Sequence, residues 1–244
     1  MAMTTVKKAA LGFTGVLVLA VGIELAYLHH RNEEPAAKPV ATQASDPDDL
    51  IFLKHEHPDT LKDAKDLKGR TLWISAGGQM DYYPFNGKTA DYGKSQGVLL
   101  GAEPVVIQDA VEQVAPKTAT FRIPGGEKQV LLVFTKPGSD AKYAVPVGYR
   151  ENGVYTYSTD EIFFYDDPHT LYAHWGPAIW KSVDAHEATV GMNERQVQLA
   201  LGQVSKSLSN EYGNRLVVYA NLGKPIAVTF VKNKVTAFRA DQGF

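Results

Sequence analysis

Val190-Gly191-Met192-Asn193-Glu194-Arg195-Gln196-Val197-Gln198-Leu199-Ala200-Leu201-Gly202 carries the fullest local code in the chain. Asn193 is a good helix N-cap, and Gln196 stands three residues later, the spacing of a capping box. Met192 precedes the cap and Val197 falls at the fourth helical position, a hydrophobic staple. Val197, Ala200 and Leu201 share one apolar face, and Gly202 stands where a left-handed residue closes a helix. The spacing predicts a short helix over 194–201. Strand-like runs follow it: Leu216-Val217-Val218-Tyr219, then Ile226, Val228 and Phe230 on one face, then Val235-Thr236-Ala237-Phe238 after a turn at Lys232-Asn233-Lys234. Ahead of it, Asp167-Pro168 starts a helix with Asp as cap and Pro at the first helical position. Leu171, Tyr172 and Trp175 follow, Gly176-Pro177 interrupts, and Ile179, Trp180 and Val183 continue the pattern. Residues 166–244 therefore read as two helical segments followed by three strands.

Between 67 and 157 the signals are strands and turns. Arg70-Thr71-Leu72-Trp73-Ile74-Ser75 is a strand candidate, and 105–114 is another, with Val106, Gln108 and Ala110 on one face. Runs at 129–135 and 143–149 flank Lys136-Pro137-Gly138-Ser139-Asp140, a hairpin loop. Asn152-Gly153 introduces Val154-Tyr155-Thr156-Tyr157, a second hairpin signal. Many short strands without long helical patterns between them predict a small antiparallel β-barrel or roll over 50–165. The fold class expected for the whole is α+β.

Two resemblances refine this. Leu67-Lys68-Gly69-Arg70-Thr71-Leu72-Trp73, with Gly97-Val98-Leu99-Leu100 and the strand after it, resembles bacterial SH3-like domains. Gly191-Met192, Gln196-Val197, Leu201-Gly202, Val218-Tyr219, and Val228 and Phe230 with Val235 resemble the SmpA/OmlA-type domain, the fold of the E subunit of the β-barrel assembly machinery. The second resemblance spans 179–238. It implies an ααβββ module that is extracytoplasmic, non-enzymatic and used for binding. Two departures stand out: Gln203-Val204 replaces the Pro that usually follows the helix-ending Gly, and the chain has no Cys to carry a lipid.

The 244 residues carry a formal net charge of −2 and are 44% hydrophobic. That composition supports a sizeable core and offers no basic face for nucleic acid. The absence of Cys excludes disulfides, thiolate metal sites and a Cys nucleophile. Residues 9–28 are mostly apolar and about as long as a bilayer-spanning helix needs to be. Lys7 and Lys8 precede the run, which places its N-terminus in the cytoplasm and the body outside. A cleaved signal peptide is the alternative, but no small-x-small site ends the run near Tyr27. Residues 1–31 are thus expected to be a cytoplasmic stub and transmembrane anchor. The Pro-, Ala- and acid-rich segment 32–49 is expected to be a flexible spacer.

Candidate chemistry is sparse. Gly93-Lys94-Ser95-Gln96-Gly97 matches the nucleophile-elbow pattern G-x-S-x-G, but no apolar strand leads into it, so it reads as a surface loop. His55-Glu56-His57 puts two imidazoles on one face of an extended chain, with His169 and His174 as distant additions. Without a third converging ligand in the sequence they read as solvated polar residues. Asp46, Asp48 and Asp49 read as part of the spacer and Asp167 as a helix cap. No catalytic residue, cofactor or metal is expected. The most suggestive segment is Gln79-Met80-Asp81-Tyr82-Tyr83-Pro84-Phe85-Asn86-Gly87 with Tyr92. Its Tyr82, Tyr83, Phe85 and Tyr92 are the candidate ligand-binding residues, because aromatics with polar handles bury area at low entropic cost. Their alternative role is core packing.

The expected function is a single-pass bacterial inner-membrane protein. Its extracytoplasmic body binds an envelope protein, peptide or glycan, or serves as an envelope scaffold. A hydrolase of an envelope polymer and a sensory or substrate-binding ectodomain are the alternatives. The topology is testable: a C-terminal phosphatase fusion should be active and a C-terminal cytoplasmic-type fluorescent fusion dark. The reverse pattern would invert the anchor, and a mature N-terminus beyond Leu28 would replace it with a signal peptide.

Overall fold

The computed structural model describes residues 46–75, 80–117 and 128–241. The apolar run 9–28 and most of the spacer lie outside them. Among the described residues, no helix is long and apolar enough to cross a membrane. The architecture is mixed α/β: two antiparallel sheets and a few short helices within one compact unit that begins at Pro47.

The first sheet comprises β1 (Thr71–Ile74), β2 (Tyr83–Pro84), β3 (Pro104–Val114), β4 (Lys128–Thr135), β5 (Lys142–Glu151), β6 (Val154–Tyr157) and β7 (Phe163–Phe164). Its strand order is β2-β5-β4-β3-β1-β7, with β6 also on β5. The hairpins fall where the turn residues place them. Asn152 and Gly153 both have positive φ, 49° and 85°, as a type I′ turn requires. In β3 the buried residues are Val105, Ile107 and Ala110, rather than a face of Val106, Gln108 and Ala110. The reason is a register shift against β4 between Ile107 and Asp109: one extra residue turns the later side chains over. The central strand β4 is buried on both faces. Val130, Leu132 and Phe134 point into the core shared with Leu72, Ile74 and Val145, while Leu131 and Val133 pack on the opposite side.

The second sheet is β8 (Val204–Ser207), β9 (Leu216–Tyr219), β10 (Ile226–Val231) and β11 (Lys234–Ala240), in the order β11-β10-β9-β8. Three of these strands fall in the expected runs, and β8 adds a fourth. Its residues Val-Ser-Lys-Ser are all exposed, so the strand carries no apolar alternation to announce it. The helices are α1 (Leu61–Lys65), α2 (Thr159–Ile162), α3 (Pro168–Leu171), α4 (Gly176–Asp184) and α5 (Glu194–Leu201). In α5 the capping box is complete: Asn193 Oδ1 accepts from Gln196 N at 2.8 Å and Gln196 Oε1 from Asn193 N at 2.7 Å. Gly202 closes the helix at φ 87°.

Helix α5 buries more than the face its spacing marks. Val197, Ala200 and Leu201 enter the core with Tyr219, Val228 and Phe230, and Leu199 is buried too. The loop before β3 lies against the helix so closely that a Cβ on Gly101 would run into the Leu199 carbonyl. Glu194 is also buried, and its carboxylate accepts from Arg215 Nε at 2.8 Å and Gly213 N at 2.9 Å.

The described residues begin before the end of the expected spacer. Pro47–Leu50 forms one 3-10 turn whose Asp48 is only 4% exposed. The Asp48 carboxylate accepts from Trp175 Nε1 at 2.6 Å and Asn193 Nδ2 at 2.8 Å, and lies 2.7 Å from His174 Nε2. Burial alone pushes this carboxyl up. The hydrogen bonds from Trp175, Asn193 and His174, with Arg195 alongside, outweigh burial and hold it below the ordinary Asp value. Asp48→Ala should therefore cost about 3 kcal/mol by stranding buried donors. The native pKa lies below the unfolded value of about 3.9, so the carboxylate's contribution is complete above that pH and fades as acid passes down through the native value. The gap in melting midpoint between wild type and Asp48→Asn should be full at neutrality and narrow below about pH 4. A gap that stays constant into strong acid would assign the stability to packing instead.

Candidate functional site

The four aromatic residues singled out by sequence are divided between two faces of the first sheet. Tyr82 sits on the inner side, with Phe134 at 5.8 Å and Tyr143 at 5.2 Å between ring centroids and Lys136 Nζ 4.8 Å from the Tyr82 ring. Tyr83, Phe85 and Tyr92 lie on the outer side, packed on Ala90, Leu131, Val133 and Ala144. The division follows from strand geometry, since neighbours in an extended chain point to opposite faces. Tyr83 and Tyr92 approach to 5.0 Å between centroids, and Tyr92 donates its hydroxyl to Gln129 Oε1 at 2.8 Å. Burial pushes the Tyr92 hydroxyl far up, so it stays a donor. These three half-buried rings cover the second face of β4. The apolar run Val130-Leu131-Leu132-Val133-Phe134 was the signal for that cover, because only a strand buried on both faces lacks alternation.

Ser95 lies in an exposed loop where its Oγ is 3.1 Å from Asp81 Oδ1, with no strand-to-helix elbow around it. His169 lies between Asp167, 2.9 Å from its Nδ1, and Asp184, 3.0 Å from its Nε2, and stacks on Trp180. Burial pulls its pKa down, but the two carboxylates more than compensate and raise it.

A concavity lies elsewhere. A cleft of about 290 Å³ is walled by Phe163, Phe164 and Tyr165 from β7 and the turn after it, by Leu171, Tyr172 and Trp175 from α3 and the 3-10 turn after it, and by Arg195, Gln198 and Leu199 of α5. The rest of its lining is Ser75, Asp160, Glu161 and Asp166 together with the extended segment Leu53-Lys54-His55, which is held from both ends. Upstream it is fixed by Asp48, downstream by the buried Pro58 and by the capping box of Thr60 and Asp63 that starts α1. The rings are fixed by their polar edges: Trp175 Nε1 on Asp48 and Trp180 Nε1 on the Tyr172 carbonyl at 3.1 Å. Arg195 donates to the Asp48 carbonyl at 2.9 Å.

Asp160, at the start of α2, reaches the cleft and gathers the histidines of the segment. Its Oδ1 accepts from Glu56 N at 3.1 Å and its Oδ2 from His57 N at 3.2 Å. The same Oδ2 lies 2.7 Å from His57 Nδ1 and 3.7 Å from His55 Nδ1. Glu56, between the two histidines, faces the other way and accepts from Arg70 NH1 at 2.8 Å. Burial pushes the Asp160 carboxyl up; the Tyr165 hydroxyl nearby, the two backbone amides and His57 outweigh it and keep it below the ordinary range. That hydroxyl is buried and makes no hydrogen bond of regular geometry among the described residues. His55 and His57 are therefore not simply solvated. The spacing placed them on one face, but their common partner lies more than a hundred residues away and has no local signature.

No family model, curated protein or solved structure matches this chain.

The outer-face rings are testable as cover for β4. Tyr83→Ala and Phe85→Ala should each lower stability by about 1–3 kcal/mol, less than the 3–5 of a fully buried Phe because each ring is half exposed. Chemical denaturation measures it. A change under about 0.5 kcal/mol would mark the rings as free surface.

Proposed function

We propose that this protein is a membrane-anchored, extracytoplasmic binding or scaffolding protein of the bacterial envelope, and that its body takes an envelope protein, peptide or glycan in the cleft beside α5. The observation that supports this reading is the aromatic wall of Phe164, Tyr172 and Trp175, with Arg195 and Asp160 as fixed polar groups. A preformed cleft with apolar faces and a few convergent polar groups is the usual form of a ligand site. Rings held by buried hydrogen bonds bind without an ordering cost. The N-terminal apolar run with Lys7-Lys8 before it supports an inner-membrane anchor with the body outside. The fold-level part of the proposal is an SH3-like roll for the first sheet and an SmpA/OmlA-like module for α4, α5 and β9–β11. The capped, glycine-closed α5 ahead of antiparallel strands supports it.

A second reading, hydrolysis of an envelope polymer, is favoured by one feature: a carboxylate and an imidazole 2.7 Å apart at the cleft mouth. Ser75 Oγ, the hydroxyl of that wall, donates to the Glu161 carbonyl at 2.6 Å. This leaves the pair without an assembled nucleophile among the described residues.

Gln198 lines the cleft from an exposed position, so Gln198→Trp fills the cleft and spares the core. Recovery of the envelope ligand by the full chain should fall sharply in this variant while stability moves by less than about 0.5 kcal/mol. Undiminished recovery would place the ligand elsewhere. Turnover of an envelope polymer that disappears in Asp160→Asn would establish the second reading.

A further inference from the structure

We propose that His55, His57 and Asp160 form a binding site for a single zinc ion at the mouth of the cleft. One nitrogen of each imidazole and one carboxylate oxygen lie within 4.8 Å of one another. A tetrahedral zinc site holds its ligands about 2.0–2.2 Å from the metal, and so about 3.3 Å from each other. The Asp160 Oδ2 distances of 2.7 Å to His57 Nδ1 and 3.7 Å to His55 Nδ1 bracket that spacing. Side-chain movements of about an ångström convert one arrangement into the other. The imidazoles have room to make them, at 44% and 78% exposure, whereas Asp160 is held at 15% by backbone amides.

The donor set is right for the metal. Two neutral imidazoles and a carboxylate form the protein half of a zinc site that keeps a fourth position open. Asp160 Oδ1 already accepts from the Glu56 amide, the kind of outer contact that orients a metal-binding carboxylate. Backbone shape agrees. His57 has φ 44° directly before Pro58, a combination that sterics disfavour on both counts. It brings the amide and the ring of His57 to the same carboxylate oxygen. Two other described histidines are engaged elsewhere: both ring nitrogens of His169 face carboxylates, and His174 Nε2 faces Asp48. The cleft is shared by His55 and Asp160, so an open coordination position lies beside the aromatic wall. Zinc binding here does not depend on what occupies the cleft.

The test uses the untagged full chain in detergent, stripped of metal by a chelator and titrated with zinc sulfate alone by calorimetry. One equivalent should bind saturably, and cobalt in its place should give the intense visible bands of a tetrahedral site. His55→Ala and His57→Ala should each weaken zinc at least about tenfold. Zinc should raise the melting midpoint of the wild type and not of the double variant. His169→Gln, and His29→Ala with His30→Ala, should retain the full equivalent. His55 is exposed and contributes little to the fold, so His55→Ala remains decisive if His57→Ala is unstable. No saturable equivalent in the wild type, or undiminished affinity in the His55→Ala/His57→Ala chain, overturns the proposal.

Discussion

Burying the Asp48 carboxylate is the constraint from which the rest of the body takes its arrangement. A charge at 4% exposure is costly unless its oxygens are filled, and here an indole, an amide and an imidazole surround them. Asn193 is used twice: its Oδ1 caps α5 and its Nδ2 donates to Asp48. Its amide orientation is therefore fixed by both partners. One side chain ties the start of α5 to the 3-10 turn at Pro47–Leu50. Turning that amide over would lose both bonds at once.

The same contacts make the cleft rigid. Tyr172, Trp175 and Trp180 stack in succession at 4.6 and 5.0 Å, and His169 continues the pile at 4.0 Å. Rings in such a stack slide unless their edges are held. Asp48 holds one indole and the Tyr172 carbonyl holds the next. On the facing side, Glu56 on Arg70 and Asp160 on the Glu56 and His57 amides hold the extended segment. A site supported in this way is positioned by packed elements rather than by a free loop.

What could be read from the sequence is what is local. The cap and staple of α5, the Asn152-Gly153 and Lys232-Asn233 turns, and the Asp167-Pro168 helix start all concern residues within one turn of each other. The β3 bulge and β8 were not legible. The first shifts the pairing without changing composition, and the second is an edge strand with no buried side chain to betray it. The aromatic segment was legible as important, but its role depended on β4. A continuous Val-Leu-Leu-Val-Phe run demands cover on two faces, and the rings supply the second. Of the cleft, only the i, i+2 face of His55 and His57 was legible. Asp160 and Asp48 meet their partners across 103 to 147 residues of sequence. No pattern within a window connects them.

That separation also orders the stability of the site. Closing a loop costs more as it lengthens, but only by about 0.6 kcal/mol for each doubling. A contact across 145 residues thus costs roughly 1.5 kcal/mol more to close than one across 25, well within what a buried charged hydrogen bond contributes. Docking of 47–57 is therefore affordable, yet it rests on few contacts compared with the ladders of β3, β4 and β5. The buried residues of the two cores come from other segments, and Ile51 of this one packs against the second core from its edge. Its release would open one wall of the cleft and separate His55 and His57 from Asp160 while both sheets stand. That wall of the cleft is thus held by side-chain hydrogen bonds rather than by a strand ladder. Asp48 is the centre of that hold, which makes this buried acid the residue on which the wall of the cleft depends.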